Sequence, residues 1–171
     1  EIIDPLVREN GIRVLEEIWL DAWSSDEARE KIGKVLEQTR DIDAISCAND
    51  QLAGAAIQLL AEYQLAGKVF VVGQDADIGA CQKIVDGTQL MTVYKPIVKL
   101  ATRAAELAVS IAKGVKVDPD FTVENRSGMP IPFYMEEPTP VFLENMDGTI
   151  IRDGFHSYED VYRNVREQVI K

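Results

Sequence analysis

Two cysteines, Cys47 and Cys81, and one histidine, His156, are all that this chain of 171 residues has of those types. Two thiols make no disulfide framework, and no His/Cys set has the spacing of a zinc site. An isolated histidine is more often a structural group than a catalytic one, and His156 is read so. Basic residues are scarce too, 18 against 29 acidic, which leaves a net charge of -11. That balance speaks against nucleic acid, whose binding needs clustered Lys and Arg, and against an anionic membrane surface. The acidic excess is read as charge that keeps the chain soluble.

Other absences narrow the field further. No apolar run approaches the roughly 20 residues that span a bilayer, and no basic start with an apolar stretch marks a secretory leader. Glu1 is not a natural start, so the chain is expected to be truncated. No glycine motif cradles a phosphate, and neither Ser46 nor Ser127 stands in a nucleophile elbow. Asp75 and Asp77, two apart, are not read as a catalytic carboxylate pair. Catalysis finds little footing, and no cofactor or metal is expected.

What is present is a core. A hydrophobic fraction of 46% and a mean hydropathy of -0.09 fit one compact soluble domain. Asp4-Pro5 opens a short helix, with proline where no amide proton is needed. Residues 12–18 read as a strand. Ser24 or Ser25 then caps a helix through Arg40, with Asp26 and Glu27 at its positive end and Ala28, Ile32, Val35 and Leu36 in one stripe. Strands at 42–48, 68–72 and 91–94 alternate with helices at 50–65, 77–85 and 96–113. Cys47, inside an apolar strand, behaves as a small hydrophobe. The last helix puts Ile97, Leu100, Ala101, Ala104, Leu107, Ala108 and Ile111 on one face. Such alternation predicts βαβ units in an α/β fold: a three-layer, doubly wound, mostly parallel sheet. After Gly114 prolines punctuate short extended pieces, among them 121–123, 140–143 and 149–151, before a helix expected from Ser157 to Ile170.

In a parallel sheet ligands sit outside the carboxyl ends of the strands. Asn49, Asp75 and Lys95 each follow a strand and so converge on one edge. An amide, a carboxylate and an ammonium there suit a small, neutral, hydroxyl-rich molecule.

The runs Cys47-Ala-Asn-Asp50, Gly73-Gln-Asp-Ala-Asp77, Gly87-Thr88 and Met91-Thr-Val-Tyr-Lys-Pro96 occur in order. With Thr149-Ile-Ile-Arg-Asp-Gly-Phe-His156 they resemble the periplasmic xylose-binding proteins of bacterial sugar ABC transporters, in the type I sugar-binding superfamily. The resemblance covers essentially the whole chain. It implies two α/β lobes joined by a hinge, with a pentose, D-xylose first, in the cleft. This chain looks like the carboxyl-terminal portion, incomplete without an amino-terminal lobe that supplies further polar contacts and an aromatic wall. Residues 1–95 would form the sugar-binding lobe. Residues 96–120 would be a crossover helix packed on the absent lobe, since its apolar face is otherwise a large exposed patch. Residues 121–171 would return and wrap the hinge and lobe.

The resemblance makes Asp75 the first sugar ligand, its two oxygens taking bonds from adjacent hydroxyls, with Asp77 left to cap the next helix. Asn49 both donates and accepts; its competing role is a helix cap, which Asp50 would fill instead. Lys95, held extended before Pro96, donates from its ammonium. Trp23, in competition with Trp19, stacks on the C–H face of the sugar, and Gln74 orients Asp75. The implied partner is a membrane ABC permease or a sensor histidine kinase, and the implied place is periplasmic or extracytoplasmic, lipid-anchored or secreted. Two rivals come from other classes: the effector core of a lactose-repressor-type transcription factor, which shares the fold, and a flavodoxin-like enzyme. The acidic charge and the motifs oppose the first, the absent catalytic constellation the second.

Overall fold

Pro5 opens a five-residue helix, α1 (Asp4–Arg8), none of whose residues is buried. The computed structural model describes residues 2–9 and 11–165. Residues 12–18, expected as a strand, join no sheet; they run exposed until Ile18 and Leu20 meet the core. A strand exists only through a neighbour's hydrogen bonds, and no described segment offers residues 12–18 a ladder.

Helix α2 (Ser25–Gln38) begins where the Ser24 hydroxyl accepts the Glu27 amide proton, so Ser24 rather than Ser25 is the cap. Its stripe of Ala28, Ile32 and Leu36 is buried against α3 (Asp50–Glu62), which follows the short strand β1 (Ala44–Ser46). After α3 the chain reverses through Gln64 and Gly67, at φ of 60° and 73°, and enters β2 (Phe70–Gln74). That strand runs two residues further than expected and carries Gly73 and Gln74 into the sheet. Helix α4 (Ile78–Val85), strand β3 (Met91–Tyr94) and helix α5 (Ile97–Ala112) then follow in the expected order.

Strands β1, β2 and β3 are parallel neighbours, with Ser46 opposite Val72 and Gln74 opposite Val93. Two further strands, β4 (Phe121–Glu124) and β5 (Pro130–Phe133), form a separate antiparallel hairpin. The last, β6 (Thr139–Val141), closes the main sheet antiparallel to β3 and sets Pro140 opposite Val93 on the edge. Proline, which has no ladder proton to give, is tolerated there.

Side chains alternate across the strands. On β2, Val71 and Gly73 are buried, Val72 and Gln74 are half-buried and Phe70 is exposed. Two buried clusters fill the fold. One joins α2, α3 and Val71; the other joins Ala76, Cys81, Ile84, Tyr94 and Val141 to Met146, Ile150 and Val161 of the last segment.

Residues 149–151, expected as extended, lie instead in a helical turn over Asp147–Ile151. Thr149 Oγ1 donates to Asn145 O at 2.7 Å, and the amides of Asp153 and Phe155 reach back to Thr149 O and Ile150 O. These local bonds replace a strand partner while Ile150 is fully buried, so packing outweighs the β-preference of its neighbours. Helix α6 (Tyr158–Val161) is capped by Ser157 and is shorter than expected; the end of the expected helix, 166–170, lies outside the described residues.

The apolar face of α5 carries no buried residue: Ile97, Leu100 and Ile111 are all exposed. No helix among the described residues is long and apolar enough to cross a membrane.

Candidate functional site

Asn49, Asp75 and Lys95 each leave the carboxyl end of one of three adjacent parallel strands, β1, β2 and β3. Asp75 and Lys95, from the neighbouring strands β2 and β3, meet directly. Lys95 Nζ lies 2.6 Å from Asp75 Oδ1, with both side chains more than a third exposed. An exposed ion pair of this kind contributes only ~0–1 kcal/mol. The backbone beneath it is strained by more: Asp75 and Ala76 hold φ of 106° and 56°, a geometry that costs non-glycine residues about 1–3 kcal/mol each. The Asp75 amide donates to Val93 O at 3.0 Å, so the strained turn is bolted to β3. A hydroxyl presented to this pair can donate to Asp75 and accept from Lys95 in one approach.

Asn49 is the α3 cap. It is extended at φ -151° and ψ 173°, and its Oδ1 accepts from the Leu52 amide at 2.9 Å. Asp50, expected to be the cap, does not fill that role. The cap uses only the carbonyl oxygen; the amide nitrogen is the part of Asn49 that suits a ligand oxygen.

Asp50, freed of the cap, is buried. Its Oδ2 accepts from the Asp77 amide at 3.0 Å and from the Thr92 hydroxyl at 2.8 Å, and its Oδ1 from Gln89 Nε2 at 3.0 Å. Burial pushes its pKa up, and the three hydrogen bonds pull against that rise. Asp77, expected as a side-chain cap for α4, stands at the cap position without a capping bond. Gln74, expected to orient Asp75, makes no side-chain hydrogen bond to it among the described residues. The sequence signal for Asp50 was present in the Asn-Asp pair itself, since one cap needs only one of the two.

Trp23 sits just before α2 and is 66% exposed, and Trp19 is more exposed still. Among the described residues no ring contact or hydrogen bond joins Trp23 to Asn49, Asp75 or Lys95. Two grooves, of about 430 and 200 Å³, open elsewhere, one between α3 and α4 and one at the opposite end of the strands; none of the three polar residues lines either.

His156 rests its Nε2 2.8 Å from Ala76 O, behind the strained turn, and packs on the Phe155 ring. Cys47 and Cys81 are free. Burial pushes the Cys47 thiol up to about 11 and the Cys81 thiol up to about 12, so neither is a nucleophile near neutrality. No cluster among the described residues has the composition of a metal site.

A family model described as "Periplasmic binding protein domain" matches residues 2–116. The chain is 40% identical over 164 residues to the D-xylose-binding periplasmic protein of Haemophilus influenzae, covering 95% of this chain and 49% of that protein. It is 38% identical over 163 residues to the D-xylose-binding periplasmic protein of Escherichia coli, covering 94% and 49%. The chain therefore spans about half the length of the curated relatives it matches. A solved ABC transporter solute-binding protein from Clostridium phytofermentans, with bound β-D-glucose, superposes with a TM-score of 0.76 at 22% identity, over 94% of this chain and 53% of that one. The likeness establishes the fold, an α/β lobe of the type I binding-protein kind.

Proposed function

Because the chain belongs to the periplasmic binding protein domain family, we propose that it is the carboxyl-terminal part of a periplasmic protein that grips a pentose, D-xylose, and hands it on unaltered. The observation that carries this reading is the Asp75–Lys95 pair, 2.6 Å apart at the carboxyl edge of the sheet that also presents Asn49. A carboxylate acceptor, an ammonium donor and an amide together match adjacent sugar hydroxyls. The names of the two curated relatives support D-xylose as the pentose.

In this reading residues 1–95 form one wall of a cleft, and an amino-terminal lobe of the same protein forms the other. Residues 96–120 carry the exposed α5 face against that lobe, and residues 121–171 return to wrap hinge and lobe. Sugar touching both walls favours the closed form, since a ligand shifts a hinge only through contacts that differ between the two states. An ABC permease then reads the closed surface.

Isothermal calorimetry on the full-length protein with D-xylose, D-ribose and L-arabinose tests this. Micromolar or tighter binding of D-xylose, recovered chemically unchanged, is the expected result. No heat with any pentose, or conversion of the sugar, overturns it.

A further inference from the structure

We infer that Asp50 is a positioning residue for the sugar site: from beneath the sheet edge, its buried carboxylate fixes the turn that presents Asp75 beside Lys95. The inference rests on the sugar-binding reading of Asp75 and names the device that shapes it.

Four observations carry it. The two amides after Asp75 both end on this carboxylate or on its immediate partner. The Asp77 amide donates to Asp50 Oδ2 at 3.0 Å, and the Ala76 amide donates at 3.1 Å to Thr92 Oγ1, which itself donates to Asp50 Oδ2 at 2.8 Å. The turn so held contains both left-handed residues, Asp75 and Ala76, a conformation that persists only where its surroundings over-determine it.

Space for the carboxylate is also specified. A Cβ on residue 73 would lie 2.2 Å from Asp50 Oδ1, so the strand reaches that position without a side chain. Finally, Gln89 sacrifices part of its own hydrogen bonding. Its Nε2 donates to Asp50 Oδ1 at 3.0 Å and Met91 O at 3.1 Å, while its buried Oε1 is left with no partner. Turning the amide over would aim Oε1 at two acceptors, so this orientation suits a residue 50 that accepts on both oxygens. Helix capping does not explain any of this, since Asn49 is the cap.

The test uses the full-length protein and three variants, Asp50→Asn, Thr92→Val and Thr92→Ser. D-xylose affinity is measured by calorimetry at a temperature where far-UV circular dichroism shows each variant folded, and the melting temperature is recorded beside it. Asp50→Asn replaces one acceptor oxygen by a donor, and Thr92→Val removes the relay to the Ala76 amide. Each is expected to weaken D-xylose binding roughly tenfold or more, while Thr92→Ser, which keeps the hydroxyl, stays within about twofold of wild type. A purely structural Asp50 lowers the melting temperature and leaves the affinity of the folded protein unchanged; that result overturns the inference. Should Asp50→Asn not fold, the valine and serine variants decide, and equal affinity in both overturns it. Where the wild type binds no pentose, the sugar reading itself falls and takes this inference with it. Where the wild type binds and the variants match it, only the inference falls.

Discussion

Gly73 faces the Asp50 carboxylate so closely that a side chain at residue 73 would begin 2.2 Å from Oδ1 and 3.2 Å from the Ala53 Cβ. Neither neighbour can retreat. Asp50 is tied to Gln89, Thr92 and Asp77, and Ala53 is fully buried in the α2–α3 core. Gly73→Ala in the full-length protein is therefore expected to cost about 1–3 kcal/mol through overpacking. Urea denaturation measures it, and an unchanged midpoint would show that α3 stands off from the sheet more freely than these distances allow.

The Asp75–Lys95 pair separates stability from binding. Both side chains are more than a third exposed, so breaking the pair alters folding by less than ~1 kcal/mol. Charge-assisted bonds to sugar hydroxyls are worth more, so Asp75→Asn is expected to lose roughly 1–3 kcal/mol of D-xylose affinity. Calorimetry and thermal denaturation on the same samples give both numbers. A variant that melts much earlier yet binds normally would move Asp75 from the site to the scaffold.

The thiols provide a pH signature. With Cys47 pushed up to about 11 and Cys81 to about 12 by burial, the thiolate fraction at pH 8 is on the order of one in a thousand or less. Ellman's reagent at pH 8 should scarcely label the native protein and should count both thiols after unfolding. The labelling rate should also keep climbing past pH 9, the ordinary thiol value, instead of levelling there. Rapid labelling of Cys81 at neutral pH would contradict its burial on the inner face of α4.

Arg103 ties α5 to the β4–β5 hairpin. Its guanidinium holds both Asp120 oxygens at 2.8 Å, Glu136 Oε1 at 3.1 Å and Met135 O at 3.3 Å, with the Tyr134 ring 5.5 Å away. The two acids flank the hairpin, one ahead of β4 and one after β5. Arg103→Met is expected to raise hydrogen exchange across residues 121–133 while leaving the β1–β3 amides protected, because a small hairpin with few buried contacts opens independently of the core. Equal exchange in mutant and wild type would assign the hairpin another anchor.

Much of the scaffold could be read in advance because its signals are local. The period of Ala28, Ile32 and Leu36 marks a helix whatever lies around it, and the strands at β2 and β3 are short apolar runs bounded by turn residues. The strand expected at 12–18 and the extended piece expected at 149–151 are different in kind. For the first, a ladder partner is required, and apolar alternation cannot supply one. For the second, burial of Ile150 and back-bonding by Thr149 settled a helical turn against the intrinsic preference of the residues.

By itself the order of residues determined that Asn49, Asp75 and Lys95 stand on one rim. Each follows a strand, the crossovers are helical, and parallel pairing then leaves those three strand ends no other side to emerge from. Tertiary structure alone decided which member of the Asn49-Asp50 pair meets solvent and which goes inside. Either side chain can cap α3. The choice turns on donors that lie 27 to 42 residues further along, the Asp77 amide, the Gln89 amide and the Thr92 hydroxyl. A buried carboxylate is tolerable only where such donors are already gathered, and they gather only when the sheet has formed.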